Sequence, residues 1–304
     1  MAEHYSLAAT YAQARNRGGL LDLSDRTKLC LTGPDRVRYL NGQVTNDIRR
    51  AGPDTTLQAC VTTAKGKLSG IIYVSGHSDF LRIDSDPELR ESLAARLERY
   101  IIADDVALED VTDAECLFHL LPPGSPGGLK ECEIRAATRL GRPGLDIIAP
   151  RSEYERLLAS LTARHTLIPA ALAESLRIEA GVPCWDAELT EDTLPPEAGL
   201  DQTAIDYHKG CYIGQEVISR IKSAGHVNRT LAGFTASMPL AAGMTLHPVD
   251  DLAKPAGKIT SAAWSFGLET WAALGYLKRG FANATLLARS PDGATVSVQT
   301  LRQP

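Results

Sequence analysis

The densest chemistry in the chain lies in Lys209-Gly210-Cys211-Tyr212-Ile213-Gly214-Gln215-Glu216. A thiol beside an ammonium suits nucleophilic, transfer or redox work. Val217, Ile218 and Ile221 predict a helix starting close to Gly214. That start places Cys211 just ahead of a helix N-terminus and two residues from Lys209, and both features favour the thiolate. Gly210 and Gly214 allow a tight turn and close approach of backbone to a ligand. The same eight residues also suit a plain turn in which Cys211 packs and Lys209 is solvated. His208, next in line, has no nameable partner and reads as a solvated or capping side chain.

A second cluster is Arg177-Ile178-Glu179-Ala180-Gly181-Val182-Pro183. A helix beginning at Pro169 ends here at Gly181, before Pro183. Arg177 complements the C-terminal end of a helix dipole, whereas Glu179 opposes it. A carboxylate kept in that place can serve a ligand, such as the amidine-like edge of a pterin, which it would bind bidentately. The alternative is a surface Glu paired with Arg. Dinucleotide, P-loop, zinc-protease and nucleophile-elbow motifs are absent.

The elements that must position these residues fall into two styles. Strands are predicted at Leu57–Thr62, Leu68–Val74, Phe80–Asp84, Leu117–Leu121, Glu133–Arg139 and Leu145–Ala149, and a strand–turn–strand around Ser24-Asp25-Arg26. A short helix follows Gly33-Pro34-Asp35 and stops near Asn41-Gly42, with Gln43–Asp47 as polar loop. An amphipathic helix starts at Ser85–Glu88 and keeps Leu89, Leu93, Leu97 and Tyr100–Ile101 on one face. Ser152–Glu155 reads as a capping box opening another. After residue 225 the style changes: 58 of the first 225 residues are charged but only 11 of the last 79. Short strand-like runs in that tail (Leu231–Thr235, Lys258–Ser261, Trp271–Tyr276, Ala284–Ala288, Thr295–Thr300) predict a small β-barrel. The whole reads as α+β.

Composition excludes several classes. At 304 residues the chain can bury a large core without staples. A formal charge of −5 argues against a general nucleic-acid binder. No apolar run approaches bilayer length and no secretory core opens the chain, so the expectation is a cytoplasmic protein with no membrane or nucleic-acid partner. Its six cysteines form no CxxC pair and no zinc spacing, so no metal site is expected. Five read as core residues, Cys211 excepted.

Lys209–Glu216 resembles the KGCYxGQE signature of the YgfZ-type folate-binding proteins, which are similar in fold to the T-protein (aminomethyltransferase) of the glycine cleavage system. Leu23–Arg26, Gly33–Arg36, Leu40–Asp47, Arg177–Pro183, Leu194–Glu197, Ile259–Ser261 and Ala273–Tyr276 resemble further family segments, so the match spans nearly the whole chain. The resemblance implies a T-protein-like fold: two interleaved, ferredoxin-like α/β subdomains (1–50 with 165–225, and 51–164) and a C-terminal barrel (226–304). It implies a tetrahydrofolate-binding accessory protein that supports assembly or repair of iron–sulfur clusters, with folate and iron–sulfur proteins or their assembly factors as partners. Cys211 with Lys209 would be the functional thiol. Glu179, Arg177, Gly210, Tyr212, Gly214, Gln215 and Glu216 would bind the cofactor, and Lys65 and Lys67 would meet its anionic tail or stay solvated. The alternative is T-protein-like one-carbon transfer, as aminomethyltransferase or demethylase. Against it, Ser69-Gly70 stands where T-proteins carry an aspartate pair, and neither residue can act as a base.

Overall fold

The computed structural model describes residues 2–301. Contacts group them into two units: residues up to Pro169 with Asp201–Ser219, and Ala170–Leu200 with the residues from Arg220 on.

The first unit holds helix α1 (Ala2–Arg17) and two five-stranded sheets that interleave along the chain. Strand β1 (Gly19–Asp22) opens the first sheet. The chain then builds the second sheet and its helices: β2 (Thr27–Thr32), α2 (Arg36–Gln43), β3 (Leu57–Thr62), β4 (Leu68–Gly76), β5 (Phe80–Ser85), α3 (Arg90–Glu98) and β6 (Ala107–Asp110). It returns to the first with β7 (Glu115–Leu120), β8 (Glu133–Arg139), β9 (Arg142–Pro150), α4 (Tyr154–Thr162) and β10 (Thr166–Leu167). The orders are β10-β1-β7-β9-β8 and β3-β4-β5-β2-β6. All pairs are antiparallel except β1 with β10.

Period-two patterning explains the layers. In β8, Arg135, Ala137 and Arg139 are buried while Ala136 and Thr138 are exposed. Leu20, Phe118 and Ile147 of the first sheet pack with Leu157 and Leu161 of α4. Leu89, Leu93 and Leu97 turn the expected apolar face of α3 and its leading turn inward. Polar residues join the two sheets. Arg139 of β8 donates to both carboxylate oxygens of Asp84 on β5, at 2.9 and 2.8 Å, and to Asp146 on β9 at 2.7 Å. Asp146 in turn lies 2.7 Å from Nδ1 of His119 on β7. Arg26 adds a second cation on Asp84 at 2.7 Å.

In the second unit, α5 (Ala170–Glu179) packs Ile178 against Leu231, Ala272, Leu274 and Tyr276 of a closed barrel. Helix α6 (Gln215–Ala224) precedes the barrel strands in sequence. These are β11 (Arg229–Ala236), β12 (Thr245–Pro248), β13 (Gly257–Ser265), β14 (Thr270–Lys278), β15 (Leu286–Arg289) and β16 (Thr295–Leu301). They close in the order β11-β14-β13-β12-β15-β16 around Phe234, Leu246, Ile259 and Val298.

Local expectations fail in a few places. The apolar residues of α1 share no stripe, so nothing in their spacing marks it. The box at Ser152–Glu155 does not form: Arg151–Glu153 is a 3-10 turn, and Glu153 caps α4 without a side-chain bond. Helix α3 ends at Glu98, short of Tyr100, which is exposed. The short edge strands β6 and β10, and β12, lack enough alternating residues to signal themselves. No described helix is long and apolar enough to cross a membrane.

Candidate functional site

The segment Lys209–Glu216 forms a loop anchored on both sides of an exposed apex. On one side Lys209 is buried at 6% exposure. Its Nζ donates to three backbone carbonyls, those of Asn41 (2.6 Å), Val44 (2.7 Å) and Asn46 (2.8 Å). It also lies 5.2 Å from the centre of the Tyr212 ring. Burial pulls its pKa from 10.5 to about 8, while Asp47 and Asp206 act the other way. Three acceptors for three N–H bonds match an ammonium, and it stays charged at neutral pH. On the other side Ile213 accepts from Thr62 Oγ1 at 2.5 Å and donates to the Gly42 carbonyl at 3.2 Å. Gly214 follows at φ +90°, where a Cβ would stand 2.6 Å from the Thr63 carbonyl oxygen and 2.7 Å from Thr62 Oγ1. Only glycine fits that contact. Between the anchors Gly210 and Cys211 are exposed, and Tyr212 dips into a cluster with Ile205, Tyr207 and Ile218. Gln215 opens α6, and Glu216 adds a favourable charge to its first turn.

Lys209 is expected beside the thiol as a charge partner; its three donors all go to backbone carbonyls. Gly210 needs no glycine on steric grounds: a Cβ there would meet nothing within 4 Å. Of the six cysteines, Cys60 and Cys116 are buried, Cys30, Cys132 and Cys184 half-buried, and Cys211 exposed. His208 is exposed, its backbone N–H on Asp206.

The acceptors of Lys209 belong to a polar knot. The expected loop Gln43–Asp47 is buried throughout. Thr45 Oγ1 donates to the Ala204 carbonyl and accepts from Cys60 N–H. Asn46 donates to the carbonyls of Gln58 and Thr203. Asn41 Oδ1 accepts from Ile48 N–H. The segment resembling the family's N-terminal pattern is thus the seat of the motif loop. Its polarity marked a loop in the sequence; its partners Thr203, Ala204 and Lys209 lie more than 150 residues away and left no local sign.

The other cluster sits in the second unit. Arg177, 5% exposed, uses all five N–H donors internally. They go to Glu174 through Nε (2.8 Å) and Nη2 (2.6 Å), to the Val182 carbonyl and Glu188 through Nη1 (2.7 Å each), and to Ser261 Oγ through Nη2 (2.8 Å). It was expected to touch a cofactor, and no donor remains for one. Glu188, 2% exposed and missed in the sequence, is the centre of this cluster. It also accepts from Thr260 and Ser261 hydroxyls at 2.6 Å each, and its backbone carbonyl accepts from Tyr276 at 3.0 Å. Arg229 pairs with Glu197 at 2.9 Å and lies over the Tyr276 ring. Two segments with family resemblance, Arg177–Pro183 and Ile259–Ser261, therefore meet at one buried carboxylate, and a third reaches its backbone carbonyl through Tyr276.

Glu179, at the last residue of α5, is half-buried. Its Oε1 accepts from Ser265 Oγ at 2.8 Å and Gly267 N–H at 3.2 Å. The β13–β14 turn thus holds one oxygen of the carboxylate, Oε1. Gly181, at φ +69°, ends the helix in the left-handed conformation that glycine tolerates. Ser69 and Gly70 lie on β4, alternating across its faces with Gly70 buried. Lys65 is exposed on the Thr63–Lys67 turn. Among the described residues no group of three or more His, Cys, Asp or Glu side chains gathers as a metal site.

No family model matches the chain. It is 28% identical over 242 residues to the tRNA-modifying protein YgfZ of Yersinia pestis (strain Pestoides F), covering 73% of each protein. It is 28% identical over 251 residues to the protein of that name from Cronobacter sakazakii, covering 75% of each. A chloroplastic Arabidopsis thaliana protein with a provisional transferase name is 25% identical over 285 residues, which cover 86% of this chain and 65% of that one. The chain thus spans just under two thirds of the Arabidopsis relative. A solved structure, the glycine cleavage system aminomethyltransferase T from Bartonella henselae, superposes with a TM-score of 0.88 at 16% identity, over 98% of this chain and 89% of that one. That likeness establishes the fold.

Proposed function

Because the chain is of the YgfZ type within the T-protein-like superfamily, we propose that it is a tetrahydrofolate-binding accessory protein. It supports assembly or repair of iron–sulfur clusters in enzymes, and Cys211 is its functional thiol. The observation that carries this reading is the presentation of Cys211. Of the two neighbouring anchors Lys209 is buried and Ile213 half-buried, both are hydrogen-bonded, and the thiol alone among the cysteines is exposed. Glu179 is the residue that would hold the pterin edge, and Ser265 and Gly267 anchor its carboxylate through one oxygen. Arg177 supports the helix end that carries it rather than the ligand. The folate supplies one-carbon or electron chemistry when bound; the protein orients it and keeps the thiol accessible.

One cysteine cannot hold a cluster, which usually takes four ligands. A client protein must supply the rest. The relatives named as tRNA-modifying add a destination: enzymes that act on tRNA are candidate clients. A net charge of −5 makes such an enzyme a better partner than the tRNA itself. A cytoplasmic location goes with this reading.

T-protein-like one-carbon transfer is the second reading, and the fold favours it. Ser69 and Gly70 at the aspartate position oppose it, since neither can hold a carboxylate charge near the folate amine. Two experiments test the proposal. Equilibrium binding of tetrahydrofolate should be micromolar in the native protein and lost in Glu179→Ala. Complementation of a deletion strain should fail with Cys211→Ser although that variant folds and binds folate. Full rescue by the serine variant sinks the thiol role. Formation of methylenetetrahydrofolate from a lipoyl-bound aminomethyl group revives the second reading.

A further inference from the structure

We infer that Lys209 is a positioning residue for Cys211: its ammonium acts through the backbone turn Asn41–Asn46 and not through its charge on the sulfur. This deepens the proposed function and rests on Cys211 being the working thiol.

The argument is geometric. Two residues before Cys211, a cation would be the obvious activator of a thiolate. Here its Nζ is 2.6–2.8 Å from three carbonyls, those of Asn41, Val44 and Asn46. Those carbonyls converge on one point because the chain leaves α2 and folds back before the turn at Ile48–Arg50. Three acceptors around a point suit a compact ammonium with three donors. A planar guanidinium presents its donors as a fork and cannot meet all three. The far anchor, Thr62 on Ile213, has its own support: Arg96 donates to the Thr62 carbonyl at 2.9 Å and to Gln43 at 3.1 Å. The exposed apex is thus fixed from both sides, and removing Lys209 frees one of them.

The test is alkylation of Cys211 by iodoacetamide across pH, read on the Cys211 peptide by mass spectrometry. It uses the full-length native protein, Lys209→Met and Lys209→Arg, all below their melting temperatures. Positioning predicts that the limiting rate at high pH changes several-fold in Lys209→Met while the pH midpoint stays where the native protein has it. Lys209→Arg should behave like Lys209→Met. A midpoint raised in Lys209→Met and restored in Lys209→Arg overturns the inference in favour of direct charge. Unchanged rate and midpoint also overturn it, because a purely structural lysine leaves a folded Cys211 as it was.

Should the variants fail to fold, acylation of the native protein decides. Lys209 should label at least tenfold more slowly than exposed Lys65; equal labelling refutes the buried, triply bonded ammonium. Failure of the thiol reading is seen separately, in full rescue by Cys211→Ser.

Discussion

Arg139 and Asp84 form a two-pronged ion pair, Nη1 and Nη2 on opposite carboxylate oxygens at 2.9 and 2.8 Å, that links the two interleaved sheets of the first unit. The pair is buried, and Asp146 and Arg26 complete it. Arg139 also lies 4.0 Å from the centre of the Tyr73 ring. Removing one member of such a network strands an unpaired buried charge, which costs about 3–5 kcal/mol. Arg139→Met should therefore lower unfolding stability in urea by that amount. A loss under about 1 kcal/mol would mean that the sheets are held by their apolar faces alone.

The same network sets an acid limit. Burial pushes the Asp84 carboxyl up, but Arg139 and Arg26 more than reverse this and hold it below the usual carboxylate range. Asp146 is held well below that range, with Arg139 and His119 overcoming its burial. Both folded values lie under the unfolded ones, so the unfolded chain binds more protons as pH falls. The stability they contribute is whole above about pH 4 and drains away as pH drops through the folded values. Native protein should lose stability steeply below about pH 4, and Arg139→Met should show a shallower loss over the same range. Parallel acid profiles for the two proteins would show that other carboxylates govern the limit.

The two glycines of the motif should separate on substitution. Gly214→Ala forces a side chain into a φ of +90° and against the Thr63 carbonyl. Left-handed strain alone costs about 1–3 kcal/mol, and the contact at 2.6 Å must displace the loop or the turn below it. Gly210→Ala meets nothing and should stay within about 0.5 kcal/mol of native. Paired thermal melts check this. Equal effects at both positions would mean that the loop adapts freely and that its anchoring is weak.

How much of this was written in the sequence differs by element. Apart from the short β6, β10 and β12, the strands of the first unit and the barrel follow from period-two patterning and a drop in charge, since burial on one face imposes both. The eight-residue motif stood out because its residue types are chemically dense. Spacing places the charge of Lys209 near Cys211, while the three carbonyls that accept from its ammonium lie about 165 residues away on backbone, which no residue type announces. Glu188 was invisible for the same reason. An acidic residue in a polar stretch reads as solvated until Arg177, Thr260 and Ser261 are brought around it.

Arg177 and Glu179, two residues apart, should fail in different ways. Arg177→Met leaves Glu188 buried at 2% exposure without its cation. That should cost about 3–5 kcal/mol, seen as an earlier unfolding transition, while the folded fraction retains its tetrahydrofolate affinity. Glu179→Ala removes one acceptor from Ser265 and Gly267, a loss of about 1 kcal/mol. Its effect should fall on binding, with affinity reduced at least tenfold at nearly native stability. Calorimetric melts and ligand titrations on both variants give the four numbers needed. If Arg177→Met weakens binding as much as Glu179→Ala while remaining fully folded, the guanidinium contacts the ligand after all, and the cluster around Glu188 must open when the cofactor enters.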